Sequence, residues 1–190
     1  MPSDPSSQTF FEKMYADVAD PWTFATSPYQ HYRYARILNA LGRRRYQRAF
    51  EPGCSIGVLT EQLALVCAYV EATDISATAA SRAQDRCRAL PNVIIKQGGL
   101  PDQIPNGTFD LIIFSEIGYY FDRPTLVSLA QELFNRLRSG GMFLAVHWLG
   151  VSPDHRLTGD QVHELLEATI LAPTRSERYE GFCLDCWSRA

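Results

Sequence analysis

Residues 51–57 read Glu51-Pro52-Gly53-Cys54-Ser55-Ile56-Gly57. They separate a strand-like run, Tyr46–Glu51, from a helix-like run, Val58–Cys67, in which Leu59, Leu63 and Val66 face inward. Small residues let a ligand approach the backbone, and the helix start offers unpaired N–H groups and the positive end of its dipole. A phosphate or a carboxylate suits such a loop. The dinucleotide fingerprint G-x-G-x-x-G fits poorly, because Ser55 and Val58 stand where it needs glycine. Gly53-Cys54-Ser55-Ile56-Gly57 does spell the G-x-S-x-G nucleophile elbow, in the strand–turn–helix context that motif requires. His147, His155 and His163 lie downstream, in the chain order of a hydrolase triad. Against that reading, only 50 residues precede the elbow, most of them helical in pattern, and no Gly-rich oxyanion segment lies upstream.

Outward from the loop, strand-like and helix-like runs alternate, the mark of an α/β fold with a mainly parallel sheet. Tyr69–Thr73 is the second strand, and Ser76 caps a helix through Ala80, Ala83, Cys87 and Leu90. Asn92–Lys96 is the third. A loop from Gly98 to Gly107 leads to Phe109–Ser115, an almost continuous apolar run expected to be buried on both faces. A helix follows Asp122 with Leu126, Leu129, Leu133 and Leu137 in line; Gly140-Gly141 closes it, and Met142–Trp148 is the next strand. Thr158 and Gln161 make a capping box for a helix carrying Val162, Leu165, Leu166 and Ile170. Arg178–Trp187 reads as one last strand, pairing antiparallel. Upstream, Pro/Ser-rich residues 1–7 read as disordered and residues 8–45 as a helical cover. The cover holds Phe10, Phe11, Met14 and Tyr15 on one face, the bend Asp20-Pro21-Trp22, and a helix over Pro28–Leu41 with a Ser27/Gln30 capping box and Gly42 as its stop.

Composition limits the function classes. The 190 residues are 46% hydrophobic and 21% charged, which is ordinary globular usage and fits one domain over 1–190. A net charge of −3 and a pI near 5.8 argue against a chain built to grip nucleic acid. Arg43, Arg44, Arg45 and Arg48 form the one basic cluster and read as a solvated turn. No apolar run approaches the ~18 residues of a membrane span, and the start lacks the features of a signal peptide. The expected location is the cytoplasm. Five cysteines exclude a complete disulfide framework. Cys183-Leu184-Asp185-Cys186 is a lone C-x-x-C whose cysteines would face opposite sides of a strand, so no metal site is expected.

The same loop, with positions further along the chain, resembles one family. Glu51, Gly53 and Gly57 match the acidic-x-Gly-x-Gly-x-Gly first motif of the class I S-adenosylmethionine-dependent methyltransferases, with Ser55 for the middle glycine. Asp74 ends the second strand 23 residues after Glu51, where a carboxylate accepts both hydroxyls of a ribose. Phe109-Asp110-Leu111-Ile112-Ile113 and Gly140-Gly141 open the fourth and fifth strands in the family manner. Asp20-Pro21-Trp22 and Ser115-Glu116-Ile117-Gly118-Tyr119-Tyr120 resemble, more closely, the nodulation protein S group of methyltransferases, whose members N-methylate an amino sugar.

The resemblance implies a doubly wound, seven-stranded, mainly parallel sheet with the last strand antiparallel and N-terminal helices over the cofactor crevice. It implies S-adenosyl-L-methionine as cofactor, S-adenosyl-L-homocysteine as product, and a small-molecule or oligosaccharide acceptor, first an amino sugar nitrogen. O-methylation of a small metabolite is the near rival; an esterase using Ser55 and His147, or a non-catalytic nucleoside-binding domain, are rivals of other classes. The implied cofactor site is Trp22, Glu51, Gly53, Cys54, Ser55, Gly57, Asp74, Ile75, Gly99, Leu100, Ser115 and Glu116. Gly99 stands where the family carries an acidic residue. Tyr119, Tyr120, His147 and Trp148 are the expected acceptor wall, and His147 and Glu116 the expected catalytic groups. With no inserted domain, the acceptor is expected to be recognised by the cover, the loop after Glu116 and residues 149–163.

Overall fold

The computed structural model describes residues 7–190. Its strands are β1 (Ala49–Pro52), β2 (Val70–Asp74), β3 (Val93–Gln97), β4 (Phe109–Ser115), β5 (Leu137–Trp148), β6 (Arg175–Tyr179) and β7 (Phe182–Ser188). They form one sheet in the order β3-β2-β1-β4-β5-β7-β6. The pairs among β1 to β5 are parallel, and β7 runs antiparallel between β5 and β6. The helices are α1 (Gln8–Asp17), α2 (Pro28–Leu41), α3 (Val58–Val66), α4 (Ala77–Cys87), α5 (Arg123–Asn135) and α6 (Gly159–Ile170). None of them is long and apolar enough to cross a membrane.

Both sheet faces are covered, which is why β4 is apolar almost throughout. Leu111 and Ile113 join a core with Ile37, Leu41, Leu59 and Leu63 from α2 and α3. Ile112 and Phe114 join the opposite core with Leu126, Leu133, Val162 and Leu166 from α5 and α6. A one-residue slip of β4 would exchange these two sets.

Several boundaries depart from the sequence expectation. The strand expected over Tyr46–Glu51 starts at Ala49, because the Asp110 carboxylate accepts the Gln47 and Arg48 N–H groups at 2.7 Å and breaks the ladder there. The helix expected to reach Leu137 stops at Asn135; Leu137 pairs with Phe109, and Gly140, at φ +69°, lies inside an irregularity of β5. The single strand expected over Arg178–Trp187 is a hairpin. Tyr179 pairs with Phe182 across Glu180-Gly181, and Gly181 at φ +92° makes the turn. Ser27 precedes α2 without a side-chain cap, and Gln30 donates to the Trp22 carbonyl instead. The disorder expected of residues 1–7 lies outside the described residues except at Ser7, which caps α1 through the Phe10 N–H. Arg44 and Arg48, read as part of a solvated turn, pair with Asp110 and Glu71.

Candidate active site

Sheet order reverses between β1 and β4, and in such sheets ligands gather beyond the carboxyl ends of the strands at that point. The 53–57 loop lies there. Gly53 has φ +72°, and a Cβ on it would sit 2.4 Å from Ile117 Cγ2. Gly57, at φ +79°, packs a hydrogen against the Ala83 backbone. Ser55, where the motif has its middle glycine, is itself left-handed at φ +52°. That conformation costs a side-chain-bearing residue ~1–2 kcal/mol and must be held. It is held from two sides. The Ser55 N–H donates to Asp74 Oδ2 at 2.8 Å, and the Tyr15 hydroxyl donates to Ser55 Oγ at 2.6 Å.

Asp74 closes β2, and its other oxygen accepts the Ser76 N–H at 2.9 Å. Burial pushes its carboxyl up to about 6 despite these two amide donors. Glu51 lies deeper, 3% exposed, and accepts from Thr60 Oγ1 at 2.6 Å; burial pushes it up to about 8. The cover is tied to the same corner. Glu12 of α1 accepts from Ser76 and Thr78 at the start of α4, and Arg82 donates to the Tyr15 carbonyl at 2.7 Å.

One cavity of about 370 Å³ opens over this loop, within the range of ordinary ligand sites. Nine expected cofactor residues line it: Trp22, Gly53, Ser55, Asp74, Ile75, Gly99, Leu100, Ser115 and Glu116. Glu51 and Cys54 line a smaller adjoining pocket, and Gly57 lines neither. Gly99 is explained by packing, since a Cβ there would meet Ile75 Cγ1 at 2.9 Å. Tyr119, Tyr120 and Trp148 also line the cavity.

Glu116 follows β4 in the left-handed region at φ +60°. Its Oε1 accepts the Trp148 N–H at 2.7 Å, while Oε2 accepts the Tyr119 hydroxyl at 3.1 Å and pairs with Arg33 Nη1 at 2.7 Å. A carboxylate holding three donors is built to position its neighbours. Arg33 is 1% exposed and surrounded by the rings of Phe24, Tyr29 and Tyr34. Its Nε, and Oε1 of neighbouring Gln30, are buried without a hydrogen-bond partner.

His147 is the expected residue that the geometry keeps out. It is fully buried on the α6 side of the sheet and is not part of the cavity wall. The Gly118 N–H donates to its Nε2 at 3.0 Å. Its Nδ1 must then carry the hydrogen and donate to His163 Nε2 at 3.1 Å, and His163 Nδ1 in turn donates to Asp185 Oδ2 at 2.6 Å. Burial holds His147 well below the usual histidine range. The esterase pairing of Ser55 with His147 therefore has no support, since both ring nitrogens are used elsewhere and the Ser55 hydroxyl is bonded to Tyr15.

Several further lining residues lie in the two segments expected to recognise the acceptor but are not among the expected site residues. Phe11, Tyr15, Phe24, Tyr29, Gln30 and Arg33 come from the cover, and Ser152, Asp154 and His155 from the segment after β5. Arg33 did leave a signal, a cation four residues before Ile37 in the buried stripe of α2. His155 shows in the sequence only as one of three downstream histidines and as part of the 149–163 segment, because an irregular loop has no periodicity to say which of its side chains meets the cavity. The cysteines of the C-x-x-C segment are free, like the other three.

The sheet order, with β7 antiparallel beside β5 and a glycine-bearing loop at the switch point, is the Rossmann-like methyltransferase fold. The family model described as Nodulation protein S (NodS) matches residues 5–148, and the chain belongs to that family. Nodulation protein S of Bradyrhizobium diazoefficiens is 31% identical over 105 residues, 54% of this chain and 50% of that protein. The chain thus spans about half the length of the curated relatives it matches. A crystal structure from Pseudomonas syringae, described as that of a candidate methyltransferase, is 36% identical with a TM-score of 0.72, covering 85% of this chain and 99% of that one. The N-methyltransferase NodS of Bradyrhizobium japonicum, solved with S-adenosyl-L-homocysteine, has a TM-score of 0.82 at 22% identity, covering 98% and 99% of the two chains.

Proposed function

We propose that this chain is an S-adenosylmethionine-dependent methyltransferase acting on a small molecule or oligosaccharide, first an amino sugar nitrogen. The observation that carries the reading is the larger cavity, which runs from the Ser55–Asp74 corner to the aromatic wall of Tyr119, Tyr120 and Trp148 beneath the N-terminal cover. The residues present fit the cofactor. Asp74 keeps lone pairs for ribose hydroxyls beyond the two amides it holds, and Ile75 and Leu100 offer apolar flanks for adenine. The orphaned Gln30 acceptor and Arg33 donor suit the ammonium and carboxylate of an amino-acid tail. When bound, S-adenosylmethionine supplies an electrophilic methyl group whose bonding pair leaves with sulfur. The protein's share is to position the acceptor in line and to exclude water.

Asp154 and the ring faces at the acceptor end favour a cationic amine over a neutral hydroxyl. Five free, buried cysteines agree with a cytoplasmic location. Calorimetry tests the cofactor assignment: micromolar binding of S-adenosylhomocysteine and none of NAD is expected, and binding of neither overturns it. A screen with methyl-tritiated cofactor over amino sugars, amines and phenols tests the acceptor, with label expected on amino sugars.

A further inference from the structure

We infer that His155 takes the proton from the acceptor nitrogen and that the acceptor therefore enters as an ammonium. The inference rests on the methyltransferase reading above and names the group that the site needs. The segment carrying His155 is irregular but well tied. The Arg156 and Leu157 N–H groups both donate to the Tyr119 carbonyl, at 2.8 and 3.2 Å, and the His155 N–H donates to the Ser152 carbonyl at 3.1 Å. The imidazole lies flat on the Tyr119 ring, with centroids 3.7 Å apart and planes 15° apart, and meets Tyr120 edge-on at 5.1 Å. Such stacking fixes the ring plane within the cavity wall.

Its Nδ1 is buried and has no hydrogen-bond partner. A buried nitrogen without a partner is unfavourable and calls for an explanation, and a donor brought by the acceptor supplies one. Of the other basic groups of the wall, Asp154 accepts the Ser152 hydroxyl through Oδ1 and keeps its second oxygen to hold a cation, and the rest are occupied. Glu116 holds Arg33, Tyr119 and the Trp148 amide, and Asp74 holds two amides beside the cofactor loop. His147 lies behind the wall with both nitrogens bonded. The groups that face His155 are Tyr119 and Tyr120 from the turn after β4, Glu116 from the end of β4, Trp148 from β5, and Asp154 beside it. Burial outweighs the Asp154 and Glu116 carboxylates and lowers the ring below the usual histidine range, so it is neutral at pH 7 and can accept a proton.

The chemistry selects the acceptor. The proton moves from the ammonium nitrogen to an imidazole nitrogen, leaving a neutral amine and an imidazolium beside Asp154 and Glu116. The freed lone pair then forms the bond to the methyl carbon, and the proton returns to water as product leaves. An ammonium titrates near ~8, as an α-amino group does. A hydroxyl near ~15.7, as in water, is many orders of magnitude harder for this ring to deprotonate.

The test uses the full chain with tritiated cofactor, and D-glucosamine, ethanolamine and phenol as probes, over pH 5.5–9.5. For His155→Gln we expect kcat to fall by roughly 10²–10⁴ on the amines, with KM and S-adenosylhomocysteine affinity within threefold. We also expect the acidic limb of kcat/KM to vanish, and added imidazole to restore turnover to His155→Ala by more than tenfold. Turnover of His155→Gln within threefold of wild type, with the limb intact, overturns the inference and leaves the methyltransferase reading standing. Absent S-adenosylhomocysteine binding in wild type overturns that reading instead. Should wild type bind it yet methylate no probe, ring resonances of His155 that do not shift when saturating amine is added also overturn the inference.

Discussion

Tyr15 and Ser55, forty residues apart, share a buried hydrogen bond of 2.6 Å in which the phenol donates to the hydroxyl. It joins the first helix of the cover to the one residue of the 51–57 loop that takes a left-handed backbone without being glycine. Tyr15→Phe should cost about 0.5–1.5 kcal/mol in a urea melt and weaken S-adenosylhomocysteine binding severalfold by calorimetry. Ser55→Gly loses the same bond but adopts the backbone freely, so its stability should fall less and its cofactor affinity should stay within threefold.

Gly53 faces Ile117 with no room for a methyl group. Gly53→Ala should lower stability by about 1–3 kcal/mol and abolish detectable cofactor binding, because overpacking and a positive φ both oppose it. Adding Ile117→Ala removes the clash but leaves the φ of +72°. The double variant should recover part of the stability, measured as a urea midpoint between those of wild type and the single variant.

Glu51 supplies a pH signature. Its carboxyl titrates near 8 in the folded chain, against an ordinary 4.5 when unfolded. Below 4.5 both states are protonated and the carboxyl does not disfavour folding. Between 4.5 and 8 the unfolded state ionises while the folded state holds its proton, so stability falls as pH rises, by at most about 1.4 kcal/mol per pH unit. Glu51→Gln should flatten this slope in urea midpoints collected from pH 5 to 8. An unchanged slope would assign it to other groups.

His147 should behave as a structural residue. His147→Ala leaves the Gly118 amide and His163 Nε2 without partners and opens a hole in the core, at a cost of about 2–4 kcal/mol. Calorimetric melting should fall by roughly 5–15 °C while kcat stays within tenfold. Because burial depresses the His147 ring, the folded chain binds fewer protons there than the unfolded chain once pH drops below about 6.5. Wild-type stability should therefore fall on acidification below that point, and less so in the variant.

The α/β alternation, the loop at 51–57, Asp74 and most of the expected residues that line the cavity were legible because each rests on local rules. Glycine spacing, a cap or an acidic strand end needs only near neighbours to be read. The expected strand start at Tyr46 and helix end at Leu137 moved because Asp110 and Phe109 claim backbone groups across the sheet. The hairpin at Gly181 was hidden because Glu180-Gly181 is a weak turn signal in a run rich in strand formers.

Local pattern settled where the loop, the sheet and the Asp74 carboxylate stand, since backbone conformation and hydrophobic period are written in residues close in sequence. Which histidine meets the cavity was decided only by packing. His147 and His155 are eight residues apart, both near the end of β5. The pleat turns His147 toward α6 and into the chain of His163 and Asp185, while two amide bonds to Tyr119 lay the later loop, and His155, against the aromatic wall. Those partners come from residues 118–119, 163 and 185, and no single stretch of chain contains them.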